Sequence, residues 1–231
     1  MKIHRFIGDF NLTAPRIDIH DKDLIKQIKE VLHLQKDEQV VLSNSQGQEI
    51  QGKIIDLQKD FISVEVLERR VNTNEPSNEV ILGCAVLKKE NFELVVQKVT
   101  EVGVKKIIPL ITSRTIKLGL NLDRLSKIAK EAAEQSGRGT IPDIIEPTKF
   151  ENVLSETKDM DIVLLDIEGK EPFQSLKKDR KMVILIGPEG GWTEDELTLA
   201  KEHNVKIASL GKLILRAETA AIIASFLVFN P

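Results

Sequence analysis

Met182-Val183-Ile184-Leu185-Ile186-Gly187-Pro188-Glu189-Gly190-Gly191-Trp192-Thr193 joins five consecutive apolar residues to a loop with three glycines and a proline, and the loop runs into a helix start. A short run that is apolar at every position reads as a strand buried on both faces, because a strand with one wet face would alternate. Thr193 with Glu196 three residues on is a capping-box pattern, which predicts that a helix begins there. Buried strand, glycine loop and helix together make the unit of an α/β domain, whose ligand sites lie beyond the carboxyl ends of the strands. The loop also reads as a tight strand-to-helix turn with no ligand, and residue chemistry alone does not choose between the two.

Moving outward, Val80 to Leu87, Ile107 to Ile111 and Ile162 to Ile167 are further strand-like runs, with briefer ones at Ile207 to Leu210 and Ile214-Leu215. Helical spacing predicts helices over Phe92 to Val102, stopped by Gly103, over Leu122 to Ser136, stopped by Gly137, and over Glu218 to Phe229. Strands alternating with helices imply a mostly parallel sheet covered on both faces. The amino-terminal part differs. Val40-Val41-Leu42, Ile50, Ile54-Ile55 and the run from Phe61 to Leu67 are strand-like and broken by turn formers, and only Asp23 to Leu34 has helical spacing. This predicts a small, mostly β domain with one helix. The polar stretch Val71 to Asn78 is the clearest linker, so the expected domains are residues 1–72 and 73–231.

The chain has 231 residues, 41% of them hydrophobic and 30% charged, with a formal charge of −3, as in a soluble globular protein and unlike a disordered or low-complexity one. The lone Cys84 excludes an intramolecular disulfide framework and a multi-cysteine zinc site. The opening MKIHRFIGDF carries no leader-like apolar run, and the apolar stretch Ala217 to Phe229 is interrupted by Glu218 and too short to span a bilayer. A cytoplasmic protein without a membrane association is expected. There is no G-x-x-x-x-G-K-[ST] loop, no G-x-G-x-x-G after a strand, no G-x-S-x-G elbow and no H-E-x-x-H helix. His4, His20, His33 and His203 are dispersed, so no metal site is expected, and tyrosine is absent. Residues 88–138 carry a net charge of +5 while residues 139–231 carry −5. Lys88, Lys89, Lys98, Lys105, Lys106, Arg114, Lys117 and Arg138 could therefore meet a polyanion, although solvated helix faces explain them as well.

Two more clusters carry chemistry. Leu210-Gly211-Lys212-Leu213-Ile214-Leu215-Arg216-Ala217-Glu218-Thr219-Ala220 ends an apolar run in Arg, Glu and Thr at a helix start. It reads either as a local Arg216–Glu218 ion pair or as half of a composite site with the first glycine loop. Glu134-Gln135-Ser136-Gly137-Arg138-Gly139 offers amide, hydroxyl and guanidinium groups to a base or phosphate, or simply ends a helix.

Gly187 to Gly191, Leu215 to Ala220, Glu131-Ala132-Ala133-Glu134-Gln135-Ser136-Gly137-Arg138, and Val96 to Val104 followed by Ile107-Ile108-Pro109-Leu110 together resemble the RsmE-type ribosomal RNA uridine-N3 methyltransferases of the SPOUT class. The likeness covers nearly the whole chain, including the Arg5-Phe6 pair, and is looser at the amino terminus, where His33 stands at a position that relatives tend to fill with arginine. It implies an α/β fold with a trefoil-knotted methyltransferase domain behind a small PUA-like β-barrel that binds RNA. It also implies S-adenosylmethionine as methyl donor, N3 of one uridine in small-subunit (16S) ribosomal RNA as acceptor, an assembled small ribosomal subunit as the substrate's setting, and a homodimer. Carried over by motif, Gly187, Glu189, Gly190 and Gly191 form one donor loop and Leu210, Gly211, Leu215, Glu218 and Ala220 the second, with Leu165 as a third wall. Arg216 is implied as the catalytic cation, ahead of Arg138. Arg5, Lys98, Arg114, Gln135, Ser136 and Arg138 are implied as RNA contacts. Another SPOUT RNA methyltransferase, acting on a ribose 2′-hydroxyl or on transfer RNA, would keep the same donor loops. A non-catalytic RNA-binding or ribosome-assembly factor would keep the fold without binding the donor.

Overall fold

A computed structural model describes residues 3–116, 119–157, 160–176 and 181–230. The chain divides into two compact units, one made of Met1–Glu75 with Ala133–Ile141 and the other of Pro76–Ala132 with Pro142–Pro231. Lys117 lies outside the described residues.

In the first unit the strands are β1 (His4–Ile7), β2 (Arg16–Ile19), β3 (Gln39–Ser43), β4 (Gln48–Leu57) and β5 (Ile62–Val71), with helix α1 (Lys22–Lys26) between β2 and β3. They form one sheet in the order β1-β3-β4-β5-β2, with β1 parallel to β3 and every other pair antiparallel. Phe6, Ile17, Ile19, Leu42, Ile50, Ile54, Ile62 and Val64 bury the inward face against Leu24, Ile25 and Ile28. The Asp21 carboxylate caps α1 by accepting from the Leu24 N–H at 3.0 Å. The helix expected over Asp23 to Leu34 is thus present, but it widens into a π turn over Gln27–Val31 and stops at His33, whose φ of 52° is left-handed.

Two carboxylates, the buried Glu49 and the partly buried Glu75, tie this unit together. Glu49 accepts from Arg5, from Arg70 Nε at 2.6 Å and from Asn72 Nδ2 at 3.0 Å. Glu75 accepts from Arg138 Nη2 at 3.1 Å and from the N–H groups of Gly139 and Thr140 at 3.0 and 3.1 Å, so residues 133–141 are held to the end of the linker. Burial acts to raise the pKa of each carboxyl, but the donors around it outweigh burial and hold both below the ordinary value.

In the second unit the elements are β6 (Glu79–Ala85), α2 (Lys89–Val102), β7 (Lys106–Ile111), α3 (Leu122–Ser136, whose last residues belong to the first unit), β8 (Asp143–Ile144), β9 (Thr148–Lys149), α4 (Phe150–Glu156), β10 (Asp161–Leu165), β11 (Glu171–Pro172), β12 (Lys181–Ile186), α5 (Glu194–Glu202), β13 (Lys206–Ser209) and α6 (Ala217–Phe229). The sheet order is β11-β13-β10-β12-β6-β7-β8 with β9 also on β7, and every pair is parallel. Ile81, Ile162, Leu164, Val183 and Leu185 pack with Phe150, Val153 and Leu154 of α4 and with Trp192 and Ala200. The alternate residues Leu82, Cys84, Val163, Ile184 and Ile186 point the other way and are equally buried, so the sheet is covered on both faces, with α6 packed on β6 and β12. Ile214-Leu215 is no strand; Leu213 and Ile214 lie in an exposed loop.

Candidate active site

β6 and β12 lie side by side at the centre of the sheet, yet the chain leaves β6 toward β7 on one side and reaches β12 on the other. Crossovers diverging from adjacent strands leave a crevice at their carboxyl ends, the topological switch point of an α/β sheet. A cavity of about 1010 Å³ opens there. Its walls are Val86 and Leu87 after β6, Leu165 and Asp166 after β10, Ile186 to Trp192 after β12, and Leu210, Gly211 and Leu213 to Glu218 after β13, with Ala220 on α6.

The ten residues expected at a donor site, Leu165, Gly187, Glu189, Gly190, Gly191, Leu210, Gly211, Leu215, Glu218 and Ala220, all line this one cavity, and so does Arg216. The local reasons are concrete. A Cβ on Gly187 would come within 3.0 Å of the Trp192 indole, which is itself fixed because its Nε1–H donates to the Leu165 carbonyl at 3.0 Å. Gly191 and Gly211 have φ of 71° and 129°, conformations that glycine adopts without strain. Thr193 closes the loop with the predicted capping box on Glu196. Glu218 sits in the first turn of α6 and is buried, where the positive end of the helix favours its charge. Arg216 stands just outside that helix with its side chain 84% exposed, and its Nη1 is 3.9 Å from the Glu218 carboxylate. Beneath the cavity, burial and then the charges of Glu218 and Glu189 push the Cys84 thiol far above its ordinary pKa.

The residues expected at RNA are divided between the two units. Arg114 lines the cavity. Lys98 is on α2, paired with Glu101 at 2.8 Å. Arg5, Gln135, Ser136 and Arg138 belong to the first unit. Gln135 and Ser136 are exposed, Arg5 is bound to Glu49, and the Arg138 side chain is 3% exposed and paired with Glu75. Sequence reasoning passed over Asn91 and read Lys88 only as a possible polyanion contact, yet both line the cavity at the start of α2. Their signal was available: they follow a buried strand that precedes a helix, the same grammar as the glycine loop. Among the described residues, no cluster of His, Cys, Asp or Glu is arranged to hold a metal ion, and no helix is long and apolar enough to cross a membrane.

What the cavity can hold follows from its walls. Glycine backbone, aliphatic side chains from Leu165, Leu210 and Leu215, and the carboxylates Glu189 and Glu218 suit a flat heterocycle attached to a cationic group. Fold and site therefore define a parallel α/β protein with a small-molecule site at its switch point.

A family model for RNA methyltransferase domains matches residues 73–228. The chain is 33% identical over 230 residues to the Ribosomal RNA small subunit methyltransferase E of Rickettsia conorii, covering 97% of this chain and 94% of that one. It is 30% identical over 227 residues to the protein of the same name from Bacillus subtilis, covering 91% and 88%. Among solved structures, the Ribosomal RNA small subunit methyltransferase E from Neisseria gonorrhoeae bound to S-adenosyl methionine superposes with a TM-score of 0.91 at 27% identity, covering 97% of this chain and 95% of that one. The chain belongs to the RNA methyltransferase family, among the ribosomal RNA small subunit methyltransferases E.

Proposed function

We propose that this protein transfers a methyl group from S-adenosylmethionine to N3 of one uridine in small-subunit (16S) ribosomal RNA. The observation that carries the reading is the convergence of both glycine loops and Leu165 on one cavity at the switch point. When bound, the donor supplies an electrophilic methyl group with its own neutral leaving group, so the protein's work is mainly binding and alignment. Gly187, Gly190, Gly191 and Gly211 let the backbone approach the heterocycle, Leu165, Leu210 and Leu215 cover it, and Glu189 and Glu218 offset the donor's positive charge. Uridine N3 gives up its proton to solvent water, the negative charge of the resulting anion spreads over N3, O2 and O4, and the N3 lone pair takes the methyl as the sulfur–methyl bond breaks and the neutral thioether leaves. Arg216, exposed at the mouth of the cavity, stabilises that charge.

The rest of the reading extends outward. The second unit is a trefoil-knotted SPOUT domain. Residues 1–72 form a PUA-like barrel that grips ribosomal RNA in an assembled small subunit in the cytoplasm, and Lys98, Gln135 and Ser136, which are not buried, are the RNA-facing set, whereas the Arg5 and Arg138 side chains are committed to Glu49 and Glu75. Two copies pack across a two-fold axis, and the half-exposed Phe226 and Ile223 of α6 supply apolar surface for that contact.

Isothermal titration with S-adenosylmethionine tests the donor site: wild type binds and Gly190→Val, whose added side chain crowds the Arg114 Cδ, does not. Failure of wild type to bind would favour the RNA-binding factor. Reverse transcription of small-subunit RNA methylated by the protein then tests the acceptor, because a methyl on N3 blocks base pairing and stops the copy, whereas a ribose methyl leaves pairing intact. Read-through at every modified position would favour the ribose-methylating alternative.

A further inference from the structure

Gly190 and Trp192 sit in a loop that glycine makes pliable, yet a ligand site needs that loop in one shape before the ligand arrives. The shape is imposed from outside the loop. Glu196, buried at the third position of α5, does more than close its capping box. Its Oε2 accepts from the Thr193 N–H at 2.8 Å and from Thr193 Oγ1 at 3.0 Å, while its Oε1 reaches across to accept from the Ser113 N–H at 2.8 Å, in the turn after β7. That turn is closed on itself by the Thr115 N–H donating to the Thr112 carbonyl at 3.1 Å. It presents Arg114, whose Nη1 donates to the Gly190 carbonyl and, at 3.3 Å, to the Trp192 carbonyl.

Two peptide planes of the glycine loop are consequently pinned at both ends. In the Gly190–Gly191 peptide, Arg114 holds the carbonyl and the Pro188 carbonyl holds the N–H at 2.9 Å. In the Trp192–Thr193 peptide, Arg114 holds the carbonyl and Glu196 holds the N–H. A trans peptide held at both its carbonyl and its N–H cannot flip without breaking both bonds. We infer that Glu196 and Arg114 are positioning residues that preorganise the first glycine loop for the methyl donor, and that Arg114 acts on the donor side of the reaction rather than as a phosphate contact. The inference rests on the reading of the cavity as the donor site.

The experiment uses the full-length protein, S-adenosylmethionine titration, and methyl transfer to unmethylated small ribosomal subunits. Arg114→Met, an exposed position whose loss leaves the fold intact by circular dichroism, weakens donor affinity about tenfold, while its KM for the subunit stays within about twofold of wild type. Arg114→Lys recovers part of the loss, because an ammonium can still reach one carbonyl. Glu196→Gln keeps shape and volume but turns an amide donor toward a backbone N–H, and weakens donor affinity comparably. The double variant loses less than the two single losses combined, since both residues hold the same Trp192–Thr193 peptide. If Arg114→Met binds donor like wild type but shows a raised KM for the subunit, Arg114 is an RNA contact and the inference falls. If neither constant changes, the brace has no functional role and the inference falls. If Glu196→Gln fails to fold, the Arg114 pair still decides. Absence of donor binding by wild type overturns the reading of the cavity, and this outcome is distinct from the other two.

Discussion

Arg216 and Cys84 show how differently one cavity treats two reactive side chains. Arg216 is almost fully hydrated and makes a single loose contact with Glu218 at 3.9 Å, so its pairing adds little to stability. Its position at the mouth is therefore to be explained by what it meets there. Arg216→Ala is expected to fold and to bind donor as wild type does, while the rate of methyl transfer at saturating substrate drops about 100-fold or more, the usual cost of removing a group that stabilises developing charge. Single-turnover kinetics with radiolabelled donor measure this, and full activity would reduce Arg216 to half of an ion pair. Cys84 is the opposite case. It is completely buried in β6, and burial together with the Glu218 and Glu189 charges keeps its thiol protonated. A thiol reagent is expected to leave the native protein unmodified at neutral pH and to react stoichiometrically in denaturant, which a chromogenic thiol assay with and without urea reads directly.

Helix ends and buried strands were the elements most legible in the sequence, because single residues determine them. Gly103 ends α2 with φ of 110°, and a Cβ at that position would collide with the Pro76 ring. Gly103→Ala thus meets two obstacles, a left-handed backbone and a filled space. It is expected to destabilise the protein by about 1–3 kcal/mol, measured by urea unfolding. By the same logic Thr193 and Glu196 announced α5, and the uniformly apolar runs announced β6, β7, β10 and β12. The elements that went unread are those with no pattern long enough to carry a period. β1 and β2 have four residues each and β8, β9 and β11 two, and α4 is a two-turn helix whose buried Phe150, Val153 and Leu154 are only recognisable against the sheet they cover. The two glycine loops stood out because their glycines and charged residues are unusual locally, but their assignment to one donor site, with Leu165 beside them, came from the family resemblance and not from residue chemistry. The Glu196–Ser113 link was not legible, since it joins residues far apart in sequence and Glu196 already had a sufficient local role in the capping box.

For the molecule as a whole, sequence spacing gave no sign that residues 133–141 fold with the first unit, because what holds them there is a set of long-range hydrogen bonds, most of them to carboxylates. Arg138, Gly139 and Thr140 converge on Glu75, the Glu134 carboxylate accepts from the Ile7 N–H at 2.9 Å, and the Ser43 hydroxyl donates to the Gly139 carbonyl at 3.0 Å. This dependence on carboxylates gives the first unit a specific weakness to acid. Glu49 and Glu75 both have native pKa values below the ordinary 4.5, so the unfolded chain takes up their protons first as the pH falls. Their contribution to stability is complete above that value and is lost as the pH drops through the lower native values. Protonating either carboxyl leaves guanidinium and N–H donors around a group that accepts fewer bonds. Hydrogen exchange followed by mass spectrometry from pH 7 down to about pH 3, corrected for the intrinsic rate, should therefore show β4, β5 and residues 133–141 losing protection before the central strands β6 and β12, one face of which packs in an apolar cluster. Glu75→Gln mimics the protonated carboxyl at every pH. It is expected to lower protection of residues 133–141 already at neutral pH and to flatten their response to acid. Equal acid sensitivity of the two regions, or an unchanged pH response in that variant, would show that other groups govern how the first unit opens.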